Sequence, residues 1–224
     1  MRSGVLSSLK LILIMLPALA ICVAAAGSLL GGKHLTAALK RGGYVILLRH
    51  ASSPGTQPDP AQAEPDNVKH ERQLDETGRA SARAMGDAFR RLRIPVGEVL
   101  SSPTYRALET AKLARFPTPQ TFDELSDAGK STSPDATHPR GAWLRSQVAK
   151  VPKASTNTII ITHYPNIIEA FANDAKDLAE GEALIYRPDG HGAASLMARV
   201  KVDDWPNLDI ASENHRQSHP QTAE

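Results

Sequence analysis

The sequence predicts an α/β fold, a three-layer α/β/α sandwich on a mostly parallel sheet with an antiparallel edge. Three observations carry this. "YVILLRH" at residues 44–50 and "TNTIIITH" at 156–163 are continuous apolar runs of the kind buried on both faces of a parallel sheet. Strand-like and helix-like segments alternate from Lys33 onward. "EALIYRPDG" and "ASLMARVKV" form a terminal strand pair, joined by a turn on Pro188, Asp189, Gly190 and Gly192.

The elements follow in order. "HLTAALKRGG" reads as a short helix closed by Gly42 and Gly43, and "YVILLRH" is the first strand. "ASSPGTQPDPAQAEPDNVKHER" contains four prolines and hardly an apolar residue, so it is a long loop, either a lid over a site or a surface insertion. "LDETGRASARAMGDAFRRLRIP" is a helix whose small or apolar positions Ala80, Ala84, Ala88 and Leu92 recur every four residues, stopped by Pro95. "VGEVLSS" is a short strand, and "PTYRALETAKLARF" a helix with Pro103 at its first position. "TPQTFDELSDAG" has room for a short strand before a loop, "RGAWLRSQVAKVP" is a helix, and "YPNIIEAFA" is a helix after the second buried strand.

The ends differ from this pattern. Arg2 and Lys10 precede an apolar and small-residue run through Leu30, so residues 1–32 read as an export signal or a membrane anchor. Ala24-Ala25-Ala26 before Gly27 suits cleavage, which is the preferred expectation; Leu11 to Leu30, at about 20 residues, is also long enough to span a bilayer. Either way the expected location is the periplasm or cell envelope. Residues 33–205 are the expected domain, and 206–224 a polar tail.

Composition narrows the chemistry. The chain has 224 residues, 41% hydrophobic and 22% charged, which suits one globular domain with tails. Cys22 lies inside the apolar run, where the bulky Ile21 disfavours lipidation. With 1 cysteine in all, the domain has neither a disulfide framework nor a thiolate nucleophile. Of 26 basic residues, Arg2 and Lys10 belong to the terminal run, and the rest balance the 24 acidic ones. A near-neutral domain gives no electrostatic case for nucleic acid. Oligomeric state is not legible.

Three strand ends line up: Arg49-His50 after "YVILL", Ser101-Ser102 after "EVL" leading to Arg106, and Thr162-His163 after "TIII". In open α/β sheets ligands gather at the carboxyl ends of strands. Singly, each residue has a plain structural use. Together, two arginines and two histidines suit a phosphoryl group: guanidinium forks match its oxygens, and a neutral imidazole is a competent nucleophile. Arginines beside the histidines would repel a metal cation, so no metal or other cofactor is expected.

"LLRHASSP", "LDETGRASA", "SSPTYRALETA" and "ITHYPNI" together resemble the histidine phosphatase superfamily, with its phosphoglycerate-mutase-like α/β/α fold, over roughly Gly43 to Val200. The resemblance implies that His50 is the nucleophile that becomes phosphohistidine, with Arg49, Arg106 and His163 binding the transferring group. Arg72 is a further phosphate contact or an exposed helix-entry arginine. The general acid is expected among the carboxylates of "FDELSDAG": Glu124 first, Asp127 second, with Asp123 also present. Glu182, at the start of a strand, either reaches the pocket or is structural, the latter being the preferred expectation. Ala51 stands where many members have glycine, which raises the question of whether the loop needs a positive φ.

The activity implied is metal-free hydrolysis of a small-molecule or glycan phosphomonoester in the envelope. Phosphorylated heptose of lipopolysaccharide core is the specific case suggested by similar layouts. Two other readings share the fold: a noncatalytic phosphate-binding or sensory module, and an envelope scaffold anchored by its N-terminus.

Overall fold

A computed structural model describes residues 29–127 and 139–210. The expected signal or anchor and most of the polar tail lie outside the described residues. Among the described residues, no helix is long and apolar enough to cross a membrane.

The helices are α1 (Gly32–Arg41), α2 (Glu76–Arg91), α3 (Tyr105–Leu113), α4 (Pro139–Val148) and α5 (Tyr164–Phe171). The strands are β1 (Val45–Arg49), β2 (Val96–Ser101), β3 (Gln120–Thr121), β4 (Asn157–Thr162), β5 (Ala183–Pro188) and β6 (Ala194–Val200). They form one sheet of order β3-β2-β4-β1-β5-β6. Strands β1 to β4 are mutually parallel, β5 runs antiparallel to β1, and β6 antiparallel to β5. The expected sandwich is therefore present, with a two-stranded antiparallel edge.

Alternation within β1 shows why the run had to be apolar throughout. Ile46 and Leu48 enter one core with Leu39, Phe89, Ile159 and Trp205, while Val45 and Leu47 enter the other with Leu144, Ile160 and Ile167. The first core is covered by α1, α2 and α3, the second by α4 and α5. Side chains that point alternately to opposite faces leave no position for a polar residue from Val45 to Leu48 of β1 or from Ile159 to Ile161 of β4.

Two expectations need correction. The buried positions of α2 are Gly78, Ala82, Met85, Gly86, Ala88 and Phe89, while Ala80 is exposed. A strict spacing of four drifts by about 40° per step around a 3.6-residue helix, so Ala80 and Ala88 do not share one face. In addition, Pro103 lies ahead of α3, whose N-cap is Thr104.

The packed chain also continues beyond Trp205, the expected end of the domain. A 3₁₀ helix at Val202–Asn207 buries Trp205 against Phe89, with ring centroids 4.8 Å apart, and Leu208 is buried too.

Candidate active site

Register places three strand ends at one edge. Arg49 is paired with Thr162, and Ser101 with Ile161. The backbone stays laced one residue further. His50 N donates to Thr162 O (3.1 Å), Ser102 N to Ile161 O (2.9 Å), and Gly181 N to His50 O (2.9 Å). His50, Ser102 and His163 thus emerge side by side beyond the carboxyl ends of β1, β2 and β4.

The loop after β1 is held against two helices. Ala51 N donates to Thr110 Oγ1 of α3, and Ser52 Oγ to Asp75 Oδ2, the N-cap of α2. Asp75 also caps α2 by accepting from Gly78 N at 2.7 Å. Gly78 is required by proximity, since a Cβ there would sit 2.1 Å from Ser52 O. Ala51 itself is buried and is not among the described non-glycine residues with positive φ. The loop conformation therefore suits alanine without strain, which answers the question its sequence raised.

Hydrogen bonds assign the imidazole tautomers. His50 Nδ1 lies 2.8 Å from Ala51 O, and a carbonyl only accepts, so Nδ1 carries the proton and Nε2 the lone pair. Arg106 Nε donates to that Nε2 at 3.2 Å. Arg106 Nη2 lies 3.0 Å from His163 Nδ1, and arginine only donates, so Nδ1 of His163 is an acceptor. Its Nε2–H then donates to Ser102 Oγ at 2.8 Å. One guanidinium bridges both rings, whose centroids are 5.1 Å apart.

Both imidazoles are neutral. Burial pulls His50 down to about 3, opposed by its bond to Ala51 and assisted by the charges of Arg106, Arg49 and Arg72. His163 is pulled to about 2 by burial first, then by Arg106 and the neighbouring His50. A neutral imidazole with its lone pair at Nε2 is the state a nucleophile requires.

The remaining site residues take different positions. Asp127 Oδ2 accepts from Arg106 Nη2 at 2.7 Å and is about one-third exposed. It is held there by the turn at Asp123–Leu125: Thr162 Oγ1 donates to Leu125 O, and Asn166 Nδ2 to Ser126 O. Glu124, on the same turn, is exposed, and Asp123 is exposed as well. The structure thus brings Asp127 to the cluster, and no described contact joins Glu124 to it.

Arg72 is pinned to the loop by Pro54 O (2.6 Å) and Ser53 O (3.1 Å), close enough for its charge to depress both histidines. Arg49 does not reach toward Nε2. Its Nη1 donates to Leu178 O (2.8 Å), its Nη2 to Glu180 Oε1 (3.2 Å), and its guanidinium lies 5.4 Å from the Tyr164 ring centre. Glu182 is structural, buried and paired with Arg199 at 2.8 Å.

Sequence reasoning missed Glu180 and Glu71. Glu71 Oε2 accepts from Tyr105 N, at the start of the helix that carries Arg106. Glu180 lies in the segment "LAEGEALIY", from which Glu182 had been singled out; the second glutamate beside Gly181 was the available signal. Among the described residues no group of three or more His, Cys, Asp or Glu side chains is arranged to hold a metal ion.

Residues 45–128 match the histidine phosphatase superfamily, branch 1. Among solved structures, the chain is similar to the protein histidine phosphatase SixA complexed with tungstate (16% identity, 72% of this chain and 98% of that one, TM-score 0.52). It is also similar to SixA from Agrobacterium tumefaciens (18% identity, 71% and 97%, TM-score 0.47). A third is a phosphoserine phosphatase variant from Entamoeba histolytica in complex with phosphoserine (12% identity, 71% and 97%, TM-score 0.43). Of these three, only the first superposes closely enough to show a common fold. Among curated proteins none matches.

Proposed function

We propose that this chain, whose residues 45–128 match the histidine phosphatase superfamily, is a phosphatase of that type and hydrolyses phosphomonoesters through a covalent intermediate on His50 Nε2. The observation that carries the reading is the His50 tautomer: with Nδ1–H spent on Ala51 O, the lone pair faces the Arg106 guanidinium, where a phosphoryl group would be neutralised.

In the proposed reaction Nε2 attacks phosphorus, a P–N bond forms, and the bond to the leaving oxygen breaks. A phosphoryl oxygen that takes Arg106 Nη2 displaces the Asp127 carboxylate from it; the freed carboxylate takes up the proton of the monoester's own phosphoryl hydroxyl and passes it to the leaving oxygen. Of the two acid candidates, the geometry favours Asp127. Water then attacks phosphorus, giving its proton to the same carboxylate, and the P–N bond breaks to release phosphate and restore Nε2. His163 Nδ1, held as an acceptor by Ser102 on its far side, keeps Arg106 in register between the rings.

The proposed substrates are small-molecule or glycan phosphoesters of the periplasm or cell envelope. The apolar run after Arg2 and Lys10 supports that location, whether it is cleaved or retained as an anchor. Phosphorylated heptose of lipopolysaccharide core is the specific candidate. The pairing of Asp127 with Arg106, which leaves it an ion-paired carboxylate, favours a second reading, a noncatalytic oxyanion-binding module.

Turnover separates the two. Hydrolysis of an activated aryl phosphate by the full chain is expected to persist in chelator and to vanish in His50→Ala. A folded parent that binds phosphate without turnover would refute catalysis in favour of the module.

A further inference from the structure

Arg49 is engaged in a way that its place in a phosphoryl site does not require. Its Nη2 donates to Glu180 Oε1 (3.2 Å), and the other oxygen of the same carboxylate, Oε2, accepts from Ser53 N (3.3 Å). One carboxylate therefore occupies a guanidinium and a backbone amide on the loop that follows the nucleophile, with the geometry of an anion held between a cation and an N–H. The Glu180 and Arg49 side chains are only 26% and 23% exposed, so the charges meet with limited screening by water. Arg49 is also incompletely satisfied in this pose: its Nε is buried and, among the described residues, has no hydrogen-bond partner. A parked guanidinium with an unspent donor is poised to turn toward a better acceptor.

We propose that Glu180 acts as an internal anion, which holds the Arg49 and Ser53 donors until a substrate phosphoryl group displaces it. This rests on the phosphoryl-site reading of the His50 cluster. The consequence falls on every phosphate-bearing ligand alike. Every oxyanion must displace Glu180 and then share the site with its negative charge, so a bare ion such as inorganic phosphate is penalised in full. A phosphoester offsets the same penalty with contacts made by the rest of the molecule. Glu180 thereby weakens product retention without weakening the discrimination of the larger substrate.

The test is calorimetric binding of inorganic phosphate and of tungstate to the full chain, to Glu180→Gln, and to Glu180→Ala, with Glu98→Gln as the control for net charge. Neutralising Glu180 is expected to tighten both oxyanions by roughly tenfold or more, the scale of one partly screened like charge removed, while the control leaves them unchanged. Inhibition of aryl phosphate hydrolysis by inorganic phosphate is expected to strengthen by the same factor, with KM falling in parallel. If the parent binds oxyanions and both Glu180 variants bind them equally or more weakly, Glu180 orients Arg49 constructively and the proposal is overturned. Absence of oxyanion binding in all four proteins would instead overturn the phosphoryl-site reading, and the proposal with it.

Discussion

Burial of two neutral histidines makes acid lability a quantitative prediction. His50 and His163 are 4% and 1% exposed, and their folded-state pKa values are about 3 and about 2. An unfolded chain protonates imidazole near 6.5. Above that pH neither state binds these protons, and the histidines contribute no pH dependence. As the pH falls below about 6.5, the unfolded chain takes up one proton per histidine that the folded domain refuses, so stability declines until the folded pKa values are reached. The slope is about 1.4 kcal/mol per pH unit per histidine. Between about pH 6.5 and 4.5 the two together remove about 5 kcal/mol, comparable to the whole stability of a marginal domain. Urea unfolding at a series of pH values measures this directly. His50→Gln and His163→Gln should each flatten the slope by one proton, and the double variant by two. Parallel pH profiles for the parent and the double variant, or an imidazole NMR titration near pH 6 for either histidine, would refute the reasoning.

Two further outcomes are expected. Asp127→Asn should lose rate on alkyl phosphates by a factor of 100 or so, typical of a lost proton donor, and much less on aryl esters with good leaving groups. Glu124→Gln should differ little from the parent on either class, and a reversed order in steady-state kinetics would return the acid role to Glu124. Gly78→Ala pushes a Cβ to 2.1 Å from Ser52 O, which α2 can relieve only by moving off the loop that carries His50. Overpacking of this kind costs about 1 to 3 kcal/mol, so a lower melting temperature and reduced kcat are expected together; a variant with unaltered melting and kcat would show that the contact is not needed.

The sheet centre was legible because β1 and β4 are apolar on both faces, a pattern that few other environments require. The strand-end cluster was legible for the same reason: Arg49, His50 and His163 interrupt runs in which a polar side chain has no use. What failed were questions decided by rotation rather than by composition. The buried face of α2 turned on whether Ala80 or Ala82 looks inward, and spacing by four hides the drift. The acid candidates stand three residues apart on a turn, where a small change of direction sends Asp127 to Arg106 and Glu124 to solvent. Glu180 was missed because its role comes from a loop before β5 returning to the end of β1, a contact more than a hundred residues apart in sequence. Trp205 joined the core through an aromatic contact with α2 that no local pattern announces.

The cluster's arginines come with a matching set of acids. Arg49, Arg72 and Arg106 share their neighbourhood with Glu180, Glu71 and Asp127. Opposed charges this close cancel at a distance, and at ordinary ionic strength nothing survives beyond a Debye length of about 10 Å. Such a mouth presents little net charge to the surrounding solvent, so the approach of a phosphate owes little to electrostatic steering. Encounter is then set by how often the ester collides with the opening, and a change of salt leaves that frequency nearly untouched.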